Sequence, residues 1–258
     1  MNQPLHFVPS DEFRQRAQAV VENPALQKSF RGAMDFLQNK RLAQFPDDEA
    51  LQRLRDLGEA IRQYSLSKLP DLLETLEAKL TANGIQVHWA DTPEDANRIF
   101  IEIAQAQGAR AVIKGKSMVS EEVELNHALQ AAGIEALESD MGEYIVQLAD
   151  EKPSHIIMPA IHKTKVEIAE LFAERIPGVD YTDSVDELIQ IGRKVLRDKF
   201  ATADIGVSGV NVMVAETGTL CLVENEGNGR MSTTVPRIHV AITGIEKVVE
   251  KLTHVPPL

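Results

Sequence analysis

The residues best suited to chemistry crowd one stretch, Asp204 to His239, which reads DIGVSGVNVMVAETGTLCLVENEGNGRMSTTVPRIH. Its segment Glu224-Asn225-Glu226-Gly227-Asn228-Gly229-Arg230 sets two acids, two amides, two glycines and an arginine side by side. Glycines let a backbone approach a ligand closely, and Asn and Arg side chains can then grip it. A solvated loop is the plainer reading of the same residues. Slightly upstream, Glu216-Thr217-Gly218-Thr219 forms a second polar group. A carboxylate beside Gly-rich backbone can act as base or nucleophile. Glu216 and Glu224 are therefore candidate catalytic groups, unless they only hydrogen-bond loop amides. Thr217, Gly218, Thr219, Asn225, Gly227, Asn228 and Arg230 are the candidate ligand-binding residues around them.

Two further groups fall at the ends of expected strands. Lys114-Gly115-Lys116-Ser117 resembles the end of a phosphate loop, but the glycine such a loop needs five residues earlier is Arg110. A Walker site is rejected. Lys114, Lys116 and Ser117 before a helix remain able to attract a carboxylate or phosphate, or to form a solvated turn. His162 and Lys163 are a candidate proton donor and anion anchor, although a lone histidine is more often structural. None of the seven histidines pairs with another His or Cys at metal-ligand spacing, so no intrinsic metal is expected. No dinucleotide fingerprint and no nucleophile elbow is present. The one cysteine, Cys221, lies in the apolar run Leu220-Cys221-Leu222 and reads as a buried thiol. An iron–sulfur cluster takes four thiolates as a rule, so this chain is expected to carry no cofactor of that kind.

The elements that position these groups alternate. Residues 1–65 are helical and charged, with Pro24, Pro46 and Asp47-Asp48-Glu49 as punctuation, and read as an N-terminal extension. From Leu69 helices and strands take turns. Leu69, Leu72, Leu73, Leu76 and Leu80 make one helical face. Ile85–Trp89 reads as a strand, and Thr92-Pro93-Glu94-Asp95 opens a helix. Strands are expected at 111–113, 134–137 and 155–158. Helices are expected at 121–132, 142–149, 163–174 and from 185. Such alternation implies parallel strands with helices on both faces. Val210–Ala215 and Thr219–Val223, broken at Glu216-Thr217-Gly218, read as a hairpin covered on both sides. A last strand at 239–243 and a last helix at 245–252 follow. Residues 255–258 read as the start of a linker, leaving 66–254 as the α/β domain. In open parallel sheets ligands bind beyond the carboxyl ends of the strands. That rule selects the loops after 113, 137 and 158.

With 258 residues and 43% apolar content, the chain can bury a sizeable core. A net charge of −12 argues against binding a nucleic-acid backbone or an anionic membrane. No apolar run reaches the roughly 18 residues of a membrane span. The N-terminus MNQPLHFVPSDEF shows no secretory pattern, so a cytoplasmic location is expected.

Three runs carry a resemblance: KGKSMVSEEVELNHAL, ESDMGEYIVQLADEKPSHIIMPAIHKTK and GVNVMVAETGTLCLVENEGNGRMSTTVPRIHVAITGIEKVV. Together they resemble the LUD domain of the lactate utilisation B family, from about Leu51 to Val249. The resemblance implies a Rossmann-like, mostly parallel sheet of the ribose-5-phosphate isomerase, glucosamine-phosphate isomerase and CoA-transferase type. An added hairpin layer and an N-terminal helical extension complete that fold. It implies a part in a bacterial complex that oxidises L-lactate to pyruvate, partnered by the system's other subunits. Four-iron four-sulfur clusters are implied only for a C-terminal ferredoxin-like module that this sequence does not contain. The resemblance transfers no catalytic residue. Glu224-Asn225-Glu226-Gly227 is similar to the short E-N-G motif of CoA transferases, with one extra residue before the glycine. Two alternatives stay open: a stand-alone CoA-transferase-like or sugar-phosphate-isomerase-like enzyme, and a non-catalytic assembly module.

Overall fold

The structure is a computed structural model that describes residues 10–151, 154 and 158–258. Three helices come first: α1 (Ser10–Val21), α2 (Pro24–Gln44) and α3 (Asp48–Ser67). The punctuation seen in the sequence marks their starts. Asn23 caps α2 by accepting from the Leu26 N–H, with Pro24 at the first turn, and Asp47 caps α3 by accepting from Ala50. These helices leave Phe13, Phe36, Leu42, Leu54 and Leu57 exposed. Helix α3 sends Ile61 into a small core with Val212, Val214 and Val249. Val255 packs on that same cluster, and Pro257 and Leu258 lie against Gly58 of α3.

Helices α4 (Leu69–Ala82) and α5 (Pro93–Ala106) follow the expected apolar spacing. α4 buries Leu72, Leu76 and Leu80; α5 starts at the Thr92 cap and buries Phe100 and Ala104. Between them the expected strand at 85–89 is absent. Ile85 and Trp89 are exposed, and only Val87 packs back on the α4 leucines. Pairing partners, rather than local propensity, decide whether such a run becomes a strand.

Four parallel strands make the main sheet: β1 (Ala111–Lys114), β2 (Glu135–Glu138), β3 (Ile205–Ser208) and β6 (Ile238–Ala241), in the order β2-β1-β3-β6. Helices α6 (Met118–Glu122) and α7 (Leu125–Ala131) replace the single helix expected at 121–132, because Glu124 takes a left-handed conformation between them. Val112, Ala136, Ile205 and Val207 pack against α5 and α7. On the other face Ile113 meets α8 (Met141–Leu148), α9 (Lys165–Arg175) and α10 (Val185–Thr202). Apolar cover on both faces makes this a Rossmann-like α/β layer arrangement. The strand expected at 155–158 falls largely outside the described residues.

A second sheet, ordered β5-β4-β7, holds the hairpin layer: β4 (Val212–Val214) runs antiparallel to β5 (Thr219–Cys221) and parallel to β7 (Val248–Val249). The helix expected at 245–252 is therefore a correction. Residues 245–247 form one 3₁₀ turn, Val248 and Val249 pair with Met213 and Val214, and a second 3₁₀ turn ends at His254. Both valines are completely buried, and a β-branched pair between two covered faces is better placed in a strand. One more helix, α11 (Asn228–Thr234), grows from the polar loop and lies on β3. Gly206 makes that contact possible: a Cβ there would sit 1.8 Å from the Ser232 carbonyl oxygen. No helix among the described residues is long and apolar enough to cross a membrane.

Candidate functional site

Strands β1, β2 and β3 are parallel and in register, so Lys114, Glu138 and Ser208 end on one edge of the sheet. The segment after β5 crosses that edge. Between them lies a cavity of about 80 Å³ lined by Gly115, Lys116, Asp140, Ser208, Leu222, Val223, Glu224, Asn225, Asn228 and Gly229. That is room for a few waters or a small organic molecule.

The crossing loop is held in place at several points. Asn211 accepts from the Val223 N–H at 2.8 Å, fixing the exit from β5. Glu224 accepts from the Arg230 N–H at 2.7 Å, and its other oxygen lies 3.5 Å from the Arg230 guanidinium. Gly227 adopts φ +93°, the left-handed turn from which α11 departs. Glu226 accepts from the Met141 N–H at 3.2 Å and so ties the loop to the start of α8.

Charge around the cavity is arranged in two tiers. Beneath it, Lys114 is 1% exposed. Its Nζ donates to Glu138 at 2.7 Å and to Asn126 at 2.8 Å, with Glu121 at 3.4 Å. Asn126 also donates to Glu138, at 2.6 Å. Glu143 is buried beside Glu138, and burial first, then the charges of Glu138 and Asp140, push its pKa up to about 9. Glu143 is thus protonated at neutral pH, and it shares a hydrogen bond with Glu138. At the rim, Asp140 caps α8 by accepting from the Glu143 N–H at 3.1 Å. Glu226 is hydrogen-bonded to Asp140, and partial burial followed by the Asp140 charge raises its pKa to about 7. The Lys116 ammonium acts on both Glu143 and Glu226 in the opposite direction. An ammonium can hold an anion, and a carboxyl that titrates near neutrality beside it can exchange a proton.

The candidate residues of the sequence divide among four places. Lys116, Glu224, Asn225 and Asn228 line the cavity, while Gly227 and Arg230 shape the loop behind it. Lys114 is turned into the interior, and Ser117 caps α6 by accepting from the Ser120 N–H. Glu216, Thr217, Gly218 and Thr219 form the β4–β5 turn, away from the cavity lining. There Glu216 accepts from the Leu252 N–H, Asn83 donates to the Thr217 carbonyl, and the two threonine hydroxyls bond each other at 2.7 Å. His162 and Lys163 both bind Glu151 and do not line the cavity. Sequence reasoning did not single out Asp140, Glu143, Ser208 or His239. The strand-end rule pointed at the Asp140 loop, but burial of Glu143 has no local signature. Among the described residues no group of three or more His, Cys, Asp or Glu is placed to hold a metal ion.

A family model described as the LUD domain matches residues 73–257. The chain is 40% identical over 237 residues to an uncharacterized electron transport protein of Escherichia coli K12, covering 92% of this chain and 50% of that one. It is 40% identical over 238 residues to lactate utilization protein B of Bacillus pumilus, again 92% of this chain and 50% of the relative. Against lactate utilization protein B of Bacillus subtilis the identity is 37% over 241 residues, 93% of this chain and 50% of the relative. The chain thus spans about half the length of the curated relatives it matches. No solved structure gives a significant match.

Proposed function

This chain belongs to the LUD domain family, and from that premise we propose that it is the substrate-holding part of a lactate-utilising system, binding a small 2-hydroxy or 2-oxo carboxylate in the cavity at the carboxyl edge of its parallel sheet. The observation that carries the reading is the meeting of two lining residues, Lys116 and Asp140, with Glu226 hydrogen-bonded to Asp140 behind them. Lys116 takes the carboxylate of the acid. Asn225 and Asn228 supply amide donors and acceptors on the same wall. The Asp140–Glu226 pair takes or returns the hydroxyl proton, with Glu226 titrating near neutrality, where a general base works best.

Oxidising a 2-hydroxy acid to a 2-oxo acid removes two electrons and two protons. The pair at the rim accounts for the hydroxyl proton alone. The electrons and the hydrogen on C2 require an acceptor outside this chain. Cys221 is its only thiol, and an iron–sulfur cluster takes about four. The residues here do not fit such a group, so the clusters belong to other parts of the system or to partner subunits, in the cytoplasm. The names of the relatives, lactate utilization and electron transport, support this division of labour.

Calorimetric titration of L-lactate and of pyruvate into the chain tests the reading. Millimolar or tighter binding of at least one acid is expected, weakened roughly tenfold or more in Lys116→Ala, since a hydrogen bond to a charged group contributes about 1.5–3 kcal/mol. Absence of binding by both acids, with the protein folded, overturns it.

A further inference from the structure

One hydrogen-bonded pair at the cavity is not used by the reading above. Ser208 ends β3, is 3% exposed, and lines the cavity. Its Oγ lies 2.8 Å from Nε2 of His239 on the neighbouring strand β6. The register explains the contact. His239 is paired with Gly206, two residues before Ser208 and on the same face of the sheet. The backbone of α11 at Ser232 covers Gly206 on that face, and the imidazole reaches the Ser208 hydroxyl two residues along the strand. We propose that Ser208 and His239 are a nucleophile–base pair that accepts the acyl group of a small ester or thioester.

The chemistry needs a neutral imidazole whose Nε2 can accept. His239 stands exposed on the edge strand β6, and partial desolvation of its ring lowers its pKa below the ordinary 6.5, so the neutral form predominates at pH 7. In the acylation step Ser208 Oγ forms a bond to the carbonyl carbon and its proton passes to Nε2. The carbon–sulfur or carbon–oxygen bond of the substrate breaks, and the leaving thiol or alcohol takes that proton. Water then adds to the acyl-serine, its proton passing through His239. The Oγ–carbon bond breaks, and a carboxylic acid is released. Lys116, on the same cavity, brings positive charge to the oxyanion of each addition. The cavity size restricts the acyl group to a few heavy atoms. Nothing in this proposal depends on lactate binding.

Methanesulfonyl fluoride, a neutral electrophile of about five heavy atoms that suits the cavity, reports an activated serine by forming a sulfur–oxygen bond with loss of fluoride. Intact mass and peptide mapping after treatment of the whole chain are expected to show one adduct, on Ser208. Ser208→Ala is expected to abolish it, and His239→Gln to slow it by about 10²-fold or more, the scale of general-base assistance. Ser208→Ala removes only a hydroxyl, and melting curves of both variants check that they fold. No adduct on the folded wild-type chain overturns the proposal, as does an adduct that survives Ser208→Ala. Labelling of Ser208 at the same rate in folded His239→Gln removes His239 as the base and overturns the pair.

Discussion

The β4–β5 turn and the loop after β5 both set a glutamate and glycine among polar residues, and they do opposite things. In the turn, Glu216, Thr217, Gly218 and Thr219 are occupied by backbone and by each other, against the end of α4 and the Leu252 N–H. In the loop, Glu224, Asn225 and Asn228 face a cavity. A second contrast repeats the lesson two residues apart. Lys114 is enclosed by Glu138, Asn126 and Glu121, whereas Lys116 lines the cavity. Polar residue types show where chemistry is possible; the partners each side chain already has decide where it is available.

Exchanging the lysines' fates is the harshest way to break this contrast. Lys114→Ala leaves Glu138 buried with no cation, and removing one partner of a buried pair costs about 3–5 kcal/mol. The urea midpoint is expected to fall accordingly. Replacing both members, Lys114→Met with Glu138→Leu, is expected to recover much of that loss, because an apolar pair needs no desolvation of charge. Lys116→Ala is expected to leave the midpoint nearly unchanged while removing acid binding. Equal midpoints for the two alanine variants would erase the distinction between an inner and an outer lysine.

The inner tier makes a prediction of smaller size, with a sign that is open to test. Glu143 titrates at about 9 in the folded chain against 4.5 ordinarily. Between those values the folded state holds a proton that the unfolded state has released. This group's contribution to stability is therefore full below about pH 4.5 and is lost as pH rises toward 9, by at most roughly 1.4 kcal/mol per pH unit. Glu143→Gln, which keeps the neutral shape, is expected to flatten the fall in stability between pH 5 and pH 8 measured by urea unfolding. An unchanged slope would mean that Glu143 is ionised and that the buried tier is held differently.

Much of this fold was legible because its signals are local. Thr92 starts a helix where capping rules put it, and Pro24 and Asp47, read as punctuation, fall at helix starts. Leu72, Leu76 and Leu80 repeat at helical spacing and face one core. What failed depends on partners distant in sequence. Ile85–Trp89 has strand-forming residues and no neighbour, while Val248 and Val249 look helical in context and become a strand because Met213 and Val214 are beside them. The site divides in the same way. Strand-end reasoning pointed at Lys116 and the Asp140 loop, and both line the cavity. The inward turn of Lys114 follows from pairing it with Glu138 across β1 and β2, a register that no single segment states. Nor does any segment announce that His239 on β6 reaches Ser208 on β3.

The mildest test returns to the turn. Gly218 has φ +66°, and a Cβ there would lie 2.9 Å from the Lys79 carbonyl carbon and 3.0 Å from the Leu80 nitrogen. Both neighbours are backbone of α4, so they yield little. Gly218→Ala is expected to cost about 1–2 kcal/mol from the left-handed conformation, with a further increment from the close contact. That loss should appear in the denaturation midpoint alone, since the turn only fastens the hairpin to α4. Ligand titration on the folded variant is expected to match wild type. A change in acid affinity without a change in stability would instead join the turn to the cavity, and with it the two halves of the polar stretch that the fold has set apart.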